Sequence, residues 1–154
     1  MILGNITEYN EDGVMTDHLN SEKRSWNMSR IKSKDTSPEL KVRKYLYSKG
    51  IRYRLHRKDL PGKPDIAINR MKTAIFIHGC FWHQHESCKK ANIPKTRTNY
   101  WLSKLNNNKE RDIINSKSLL IQNWNSLTIW ECEISKIDQN KQIESLIIAY
   151  RKKT

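Results

Sequence analysis

Three cysteines and one histidine constrain the fold more than any other feature of this sequence. Cys80, His85 and Cys88 stand in a C-x4-H-x2-C arrangement, and Cys132 lies far along the chain. Three thiolates and an imidazole are a common closed tetrahedral set for structural zinc, a borderline-soft ion. If the four side chains bind one ion, the segment after residue 79 must fold against the region of Cys132, and metal binding adds to the folding free energy.

The alternative to a zinc site is three buried thiols and a surface histidine. All three cysteines of the chain belong to the set, and an odd number argues against a disulfide framework. The spacing is not that of a standard zinc finger. A structural zinc site leaves no open position for water, so any catalytic centre is expected elsewhere.

The charge of the chain favours a polyanionic partner. Lys and Arg outnumber Asp and Glu by 29 to 16, a net charge of +13. Such an excess indicates nucleic acid, or less often an anionic membrane surface. No apolar run is long enough to span a bilayer and no secretory signal is visible, so we expect a cytoplasmic bacterial protein that associates with the nucleoid when acting.

The length of 154 residues suits one domain. Residues 1–20 carry four acidic side chains and no Lys or Arg, and they lack apolar periodicity. We therefore expect a flexible acidic tail over 1–22 and a single domain over 23–154. The tail is either a solvated extension or an autoinhibitory mimic of DNA.

The order of predicted elements indicates an α/β fold. Thr36 and Glu39 form a capping box before a helix that ends at Gly50. Strands are expected over 51–56, 65–69 and 73–78, a loop over 79–97, a helix over 100–116 and a strand over 127–134. A C-terminal helix is expected to bury Ile143, Leu146, Ile147 and Tyr150. Helices interleaved with strands favour a mixed sheet flanked by helices.

A second group of residues has the layout of a magnesium nuclease. Asp65 stands where a turn enters a strand, His78 ends the next strand, and His83 follows in the loop. Magnesium needs few carboxylates, and an imidazole can accept a proton near neutral pH. Each residue also has a structural explanation. Asp65 could cap its turn, His78 could be a core histidine, His83 could compete with His85 for zinc, and Glu39 already belongs to the capping box.

Five motifs in order give the sequence a resemblance to the very-short-patch repair (Vsr) DNA mismatch endonucleases. The resemblance covers about residues 25–135, and the block from His78 to His83 is the most specific part. The motifs are Asn27-Met28-Ser29-Arg30-Ile31, Leu60-Pro61-Gly62-Lys63-Pro64-Asp65-Ile66, Phe76-Ile77-His78-Gly79-Cys80-Phe81-Trp82-His83, Pro94-Lys95-Thr96-Arg97-Thr98-Asn99-Tyr100-Trp101 and Ile129-Trp130-Glu131-Cys132.

The resemblance implies a restriction-endonuclease-like fold and a reaction. Members of the family nick one strand 5′ to the thymine of a T:G mismatch, in the repair of deaminated 5-methylcytosine. The expected partner is double-stranded DNA that contains this mismatch. A functional link to a cytosine-5 DNA methyltransferase and to mismatch-repair proteins is also expected, and the absence of a symmetric apolar face favours a monomer.

The resemblance also implies roles for individual residues. Asp65 and the main-chain carbonyl of Ile77 would bind catalytic Mg²⁺, His83 would be the general base, His78 would assist at the scissile phosphate, and Glu39 would orient water. The implied ligands of structural Zn²⁺ are Cys80, His85, Cys88 and Cys132. Met28, Phe81 and Trp82 would wedge into the base stack, although Phe81 and Trp82 could instead be ordinary core residues.

Four basic residues near the loop, Lys89, Lys90, Lys95 and Arg97, are candidate phosphate contacts. The chain departs from the family in one extra residue within the run from His83 to Cys88 and in Ile77, where a hydroxylic residue is usual. Two other functions remain open: a restriction or defence endonuclease of the same fold with another DNA target, and a non-catalytic zinc-containing DNA-binding module.

Overall fold

The computed structural model of the chain describes Trp26 and residues 34–153. The expected tail 1–22 and the candidate wedge residue Met28 lie outside the described residues. In order, the helices and strands are α1 (Ser37–Ser48), β1 (Arg54–Leu55), β2 (Ile66–Ile68), β3 (Thr73–His78), α2 (Thr98–Ile121), β4 (Asn125–Trp130) and α3 (Lys141–Lys152). Short 3-10 helices cover Asn69–Met71, Lys89–Ala91 and Glu131–Gln139.

The capping box predicted at the start of α1 is confirmed. The backbone N–H of Glu39 donates to the Thr36 hydroxyl, which in turn donates to the Glu39 carboxylate at 2.9 Å. At the other end, Gly50 adopts a φ of +81°, which glycine reaches without a steric penalty. The chain reverses there, and the N–H of Ile51 bonds the carbonyl of Leu46.

The four strands form one mixed sheet in the order β1-β2-β3-β4. β1 and β2 are antiparallel, as are β2 and β3, whereas β3 and β4 are parallel. The prediction for β3 is confirmed to the residue. The parallel pairing sets His78 opposite Trp130, so the two strands end side by side.

Helices cover both faces of the sheet. On one face, α1 and α3 bury Val42, Leu46 and Ile143 against Ile66 and Ile75. On the other face, α2 packs Leu119 over Ala67 and Ala74, which are cross-strand partners. Two facing alanines leave room for a helix to approach closely. The mixed sheet flanked by helices, predicted from the sequence, is therefore confirmed.

Two predicted strands were wrong in extent. The strand expected over 51–56 is reduced to Arg54–Leu55, and His56, directly after it, has a φ of +46°. Leu55 is exposed, whereas Ile51 is buried. The strand expected over 127–134 runs instead from Asn125 to Trp130, so Cys132 lies in a 3-10 helix.

The expected helix over 100–116 is longer and runs from Thr98 to Ile121. The C-terminal helix buries the four apolar residues named from its periodicity, which confirms that prediction. Within residues 34–153, no helix combines the length and the apolar composition needed to cross a bilayer.

Candidate metal centre and active site

The four residues of the expected zinc set lie together. One ligand atom from each of Cys80, His85, Cys88 and Cys132 falls within 4.8 Å of the others. Nδ1 of His85 is 3.3 Å from the sulfur of Cys132 and 3.7 Å from that of Cys80. Three sulfurs and one imidazole nitrogen at these separations suit a tetrahedral zinc ion, so the donor set fits the metal.

Parallel pairing and a tightly turned loop produce this cluster. Cys80 and Cys132 each stand two residues beyond the paired strand ends, His78 and Trp130. The loop then turns repeatedly: the N–H of His85 bonds the carbonyl of Cys80, and the N–H of Cys88 bonds the carbonyl of His85. Gln84 and Ser87 have φ values of +50° and +56°. These left-handed residues reverse the chain so that the loop ligands return to Cys80.

The thiols of the cluster affect each other electrostatically. Burial and hydrogen bonding to Cys80 raise the pKa of Cys132 to about 12. Burial also raises the pKa of Cys80, whereas a hydrogen bond with the backbone of Lys90 lowers the pKa of Cys88. Three thiolates this close repel each other, and a divalent cation would reverse that repulsion.

A second cluster joins His78 and His83 to a residue that the sequence did not single out, Asp112. The two imidazole rings stack with their centroids 3.7 Å apart. Nδ1 of His83 lies 2.5 Å from the Asp112 carboxylate. If His83 donates its Nδ1 hydrogen to Asp112, Nε2 remains available as a proton acceptor. Asp112 thus fixes both the orientation and the tautomer of His83.

The environment of His78 disfavours the imidazolium form. Burial, followed by repulsion from His83, lowers its pKa from 6.5 to about 4. The ring is 9% exposed and touches Trp130 edge-on, with centroids 5.4 Å apart. Burial raises the pKa of Asp112, but the hydrogen bond with His83 and the electrostatic effects of His83, His78 and Arg111 together outweigh burial, and the net shift is downward. At neutral pH the cluster therefore combines a carboxylate with a neutral His78.

Asp112 belongs to a pattern of polar residues on α2 that the sequence motifs above do not include. On α2 the inward positions between buried Leu105 and Leu119 are polar rather than apolar, namely Asn108, Asp112, Asn115 and Ser116. A helix that packs on a sheet normally presents an apolar stripe there. A polar interruption of that stripe marks a polar site between helix and sheet. Asn108 also holds the loop, since its side-chain amide donates to the carbonyl of Trp82 at 3.0 Å.

Asp65 lies at the start of β2 and is tied to the neighbouring strand. One carboxylate oxygen accepts the N–H of Ile77 at 2.7 Å, and His78 is the next residue. Burial raises the pKa of Asp65, the Ile77 N–H lowers it, and the nearby Glu39 carboxylate raises it. The other carboxylate oxygen makes no hydrogen bond within residues 34–153, so a hard oxygen donor remains for a cation.

Glu39 is buried and engaged by three groups. Its oxygens accept from the Thr36 hydroxyl, from the N–H of Asp35 at 3.0 Å and from Arg43 at 2.7 Å. The structure thus places Glu39 within electrostatic range of Asp65, as the active-site hypothesis requires, and also confirms its place in the capping box. His78 and His83 form a separate group around Asp112.

The expected wedge residues belong to a small aromatic cluster. The rings of Phe81 and Trp82 meet edge to face at 5.0 Å, and Phe81 also meets Trp101 of α2 at 5.4 Å. Phe81 and Trp82 are half-buried rather than core residues. The ammonium of Lys104 lies 5.4 Å above the Trp82 ring. A partly exposed aromatic surface with a cation beside it is suited to stacking on bases.

The four candidate phosphate contacts are all exposed but differ in their partners. Lys90 is paired with Glu131 at 3.2 Å, and Arg97 stacks on Tyr100 at 5.1 Å. Lys89 and Lys95 have no side-chain partner among the described residues. An open cleft of about 840 Å³ runs past His83, Asp112, Lys109 and Trp130.

Comparisons with known proteins agree with this geometry. A family profile for "DNA mismatch endonuclease Vsr" matches residues 16–90. The DNA mismatch endonuclease Vsr of Escherichia coli is 38% identical over 120 residues, which are 78% of this chain and 76% of that protein. The type II nicking enzyme V.NmeAIP of Neisseria meningitidis serogroup A is 48% identical over 120 residues, 78% of this chain and 85% of that protein.

The type II nicking enzyme V.XorIIP of Xanthomonas oryzae pv. oryzae is 44% identical over 123 residues, 80% of this chain and 90% of that protein. On these similarities the chain belongs to the DNA mismatch endonuclease Vsr family and is a Vsr-type DNA endonuclease.

Proposed function

We propose that this endonuclease nicks one strand of duplex DNA 5′ to the thymine of a T:G mismatch, by Mg²⁺-dependent hydrolysis of the phosphodiester bond. The observation that carries the proposal is the oriented pair of His83 and Asp112, stacked against His78 at the edge of an open cleft. The name of the Escherichia coli relative supports a mismatch as the target.

In this mechanism His83 is the proton acceptor. With Nδ1 bonded to Asp112, the Nε2 atom can take the proton of the attacking water. The carboxylate stabilises the imidazolium that forms, as the aspartate does in other Asp-His pairs. His78, held neutral by burial, would act as a hydrogen-bond donor to the scissile phosphate.

Asp65 and the main-chain carbonyl of Ile77 are the proposed Mg²⁺ ligands. The Asp65 oxygen that makes no hydrogen bond within residues 34–153 supports this assignment, because Mg²⁺ prefers hard oxygen donors and retains several waters. When bound, the ion would polarise the phosphate and lower the pKa of a coordinated water. Glu39, fixed by Thr36 and Arg43, would orient water beside Asp65.

The Cys80, His85, Cys88 and Cys132 set is proposed to hold a structural Zn²⁺. The set fills a tetrahedron with protein atoms, so it has no position for a substrate. Its role would be to hold the loop that carries Phe81, Trp82 and His83. We further propose that the mixed sheet represents a restriction-endonuclease-like fold, with Asp65 and His78 on its adjacent strands β2 and β3.

The aromatic cluster is the proposed source of mismatch selectivity. Phe81 and Trp82 would insert between base pairs beside the mismatch, with Trp101 supporting them from α2. Unstacking a base step costs a few kcal/mol, and the cost is lowest at a mispaired step. Lys89 and Lys95 would contact phosphates and add salt-dependent affinity.

A nicking assay tests the proposal. The zinc-loaded protein is incubated with Mg²⁺ and end-labelled duplexes, one with a single T:G mismatch in a methylation context and one fully paired. We expect a nick 5′ to the mispaired thymine. In Asp65→Ala we expect the nicking rate to fall by about 10³-fold or more. Asp138→Ala is the matched control, because Asp138 is exposed and makes no contact with the clusters.

Each result separates the alternatives. Equal cutting of both duplexes would keep the nuclease and reject the mismatch role, in favour of a restriction-type target. Nicking that survives in Asp65→Ala would reject the assigned metal ligand. If folded protein binds both duplexes but cuts neither across a panel of flanking sequences, the non-catalytic DNA-binding module is the better description.

A further inference from the structure

A small polar recess of about 40 Å³ lies between α2 and the sheet. Every side chain that lines it is polar except Phe76. The polar residues are His78, Asp112, Asn115, Ser116, Ser126 and Thr128. Four of them also line the larger cleft next to His83, so the recess adjoins that cleft. A polar space of this size has room for at least one ordered water molecule.

The register of the sheet explains why two hydroxyls of β4 border the recess. Ser126 pairs with Ala74 and Thr128 pairs with Phe76, and paired residues of neighbouring strands project from the same face. Ala74 packs against Leu119 of α2, so this is the face that α2 covers. Small polar side chains therefore occupy positions of β4 where a covered sheet normally has apolar ones.

The hydroxyls around the recess are only partly used by the protein. Asp112 and Ser116 border it from α2, because residues four apart lie on one side of a helix. The hydroxyl of Ser116 is hydrogen-bonded to that of Ser126, with the oxygens 2.5 Å apart. The Thr128 hydroxyl has no hydrogen-bond partner within residues 34–153. Polar groups in such enclosed places are normally satisfied by protein atoms or by ordered water.

Asp112 is the group that most needs a further partner. One of its carboxylate oxygens lies 2.5 Å from Nδ1 of His83, and the other makes no hydrogen bond in the described part of the chain. A single hydrogen bond leaves a carboxylate free to rotate, so its hold on His83 depends on a second contact. Side chains that orient a catalytic group are normally fixed by hydrogen bonds of their own.

We propose that the recess is a water site that anchors Asp112. An ordered water molecule donates a hydrogen bond to the carboxylate oxygen that His83 does not use, and it is held in turn by the hydroxyls of Thr128 and Ser116. Thr128 and Ser116 are thus positioning residues, which act on His83 through Asp112. The inference rests on the proposed role of His83 as the proton acceptor of the nicking reaction.

The variant Thr128→Val tests the role of the hydroxyl, because it nearly keeps the shape of the side chain. We expect the single-turnover nicking rate to fall by about tenfold, as is usual when a supporting hydrogen bond is lost. Affinity for the duplex, measured with Ca²⁺ in place of Mg²⁺, should not change. Thr128→Ser retains a hydroxyl and should keep most of the rate. Ser118→Ala is the matched control on α2, since residues two apart do not share a helix face with Ser116.

A double-mutant cycle separates positioning from a general effect on packing. In an Asp112→Ala background we expect Thr128→Val to change the rate by less than about twofold, because the group that it anchors is already gone. Losses that multiply in the double variant would overturn the proposal, and so would a wild-type rate in folded Thr128→Val. If Thr128→Val does not fold, Ser116→Ala takes its place in the same cycle.

A high-resolution crystal structure of the zinc-loaded wild type tests the water directly. We expect an ordered water molecule within about 3 Å of both the Asp112 carboxylate and the Thr128 hydroxyl, and its loss or displacement in Thr128→Val. A wild-type recess without ordered water would overturn the proposal, and the small hydroxyl residues would then serve only the close packing of α2. A wild type that nicks neither duplex would speak against the proposed function, while the crystal structure would still decide the water site.

Discussion

Two side-chain clusters meet at Trp130 and differ in their donor atoms. The Trp130 ring stacks on His85 of the Cys/His cluster at 4.2 Å and touches His78 of the His/Asp cluster at 5.4 Å. The first cluster offers three sulfurs and one nitrogen. The second offers two imidazoles and a carboxylate, and it lines an open cleft.

The difference shows how one short loop serves two kinds of chemistry. Residues 79–88 supply both His83 and three of the proposed zinc ligands, Cys80, His85 and Cys88. Soft thiolates favour zinc and a closed shell, which suits a fixed support. The imidazole and carboxylate pair can exchange protons and faces solvent, which suits catalysis. Mutations in either cluster test whether the support role and the catalytic role can be disrupted independently.

The largest effect is expected from Cys132→Ser. Loss of one thiolate should release zinc and lower the free energy of unfolding by roughly 5 kcal/mol or more, because a structural zinc contributes about 10 kcal/mol in small peptides. Zinc content by mass spectrometry and the melting temperature measure this. The matched variant is Ser135→Ala, an exposed neighbour. Full zinc content in Cys132→Ser would reject the ligand assignment.

The second largest effect is expected from His83→Gln. Removing the proton acceptor should lower the nicking rate by about 10²–10⁴-fold, with zinc content and melting temperature close to the wild type. Single-turnover rates on the mismatched duplex measure the chemical step. Loss of zinc in this variant would show that His83, rather than His85, belongs to the Cys/His cluster and would break the comparison.

Asp112→Asn is expected to have a smaller effect on the same step. The amide can still bond Nδ1 of His83 but no longer stabilises the imidazolium, so the rate should fall about 10²-fold. Affinity for the duplex, measured with Ca²⁺ in place of Mg²⁺, should change little. Asp138→Asn serves as the control. A wild-type rate in Asp112→Asn would remove Asp112 from the active site.

The smallest effect concerns pH and His78. Its folded pKa of about 4 lies below the unfolded value of 6.5, so the unfolded chain binds a proton that the folded chain does not. Stability should therefore fall as the pH drops from 6.5 towards 4, by up to about 1.4 kcal/mol per pH unit.

In the His78→Gln variant, the pH-dependent contribution of His78 to the free energy of unfolding is absent. When the pH falls from 6.5 to 5, we expect the free energy of unfolding of the variant to decrease by about 2 kcal/mol less than that of the wild type. Denaturant unfolding measures both values. Because both proteins retain the Cys/His cluster, acid loss of zinc affects them equally. Parallel pH profiles for the two proteins would contradict the neutral, buried state of His78.

Local patterns in the sequence predicted much of this protein. The capping box at Thr36 and Glu39 and the strand Thr73–His78 follow from short-range hydrogen bonding and apolar periodicity. The Cys/His set was also predicted, because three thiols and an imidazole supply the donor atoms that structural zinc prefers. The motif from His78 to His83 identified the family, which the comparisons confirm.

Tertiary structure alone decided which distant groups meet. Asp112 reaches His83 because α2 packs on the face of the sheet next to β3. Arg43 contacts Asp35, Glu39 and His56 because the chain turns at His56. The strand predicted over 51–56 was wrong in extent, since only Arg54 and Leu55 pair with β2. Spacing along the chain encodes local geometry, whereas these contacts depend on how helices pack on the sheet, and packing is set by all the elements together.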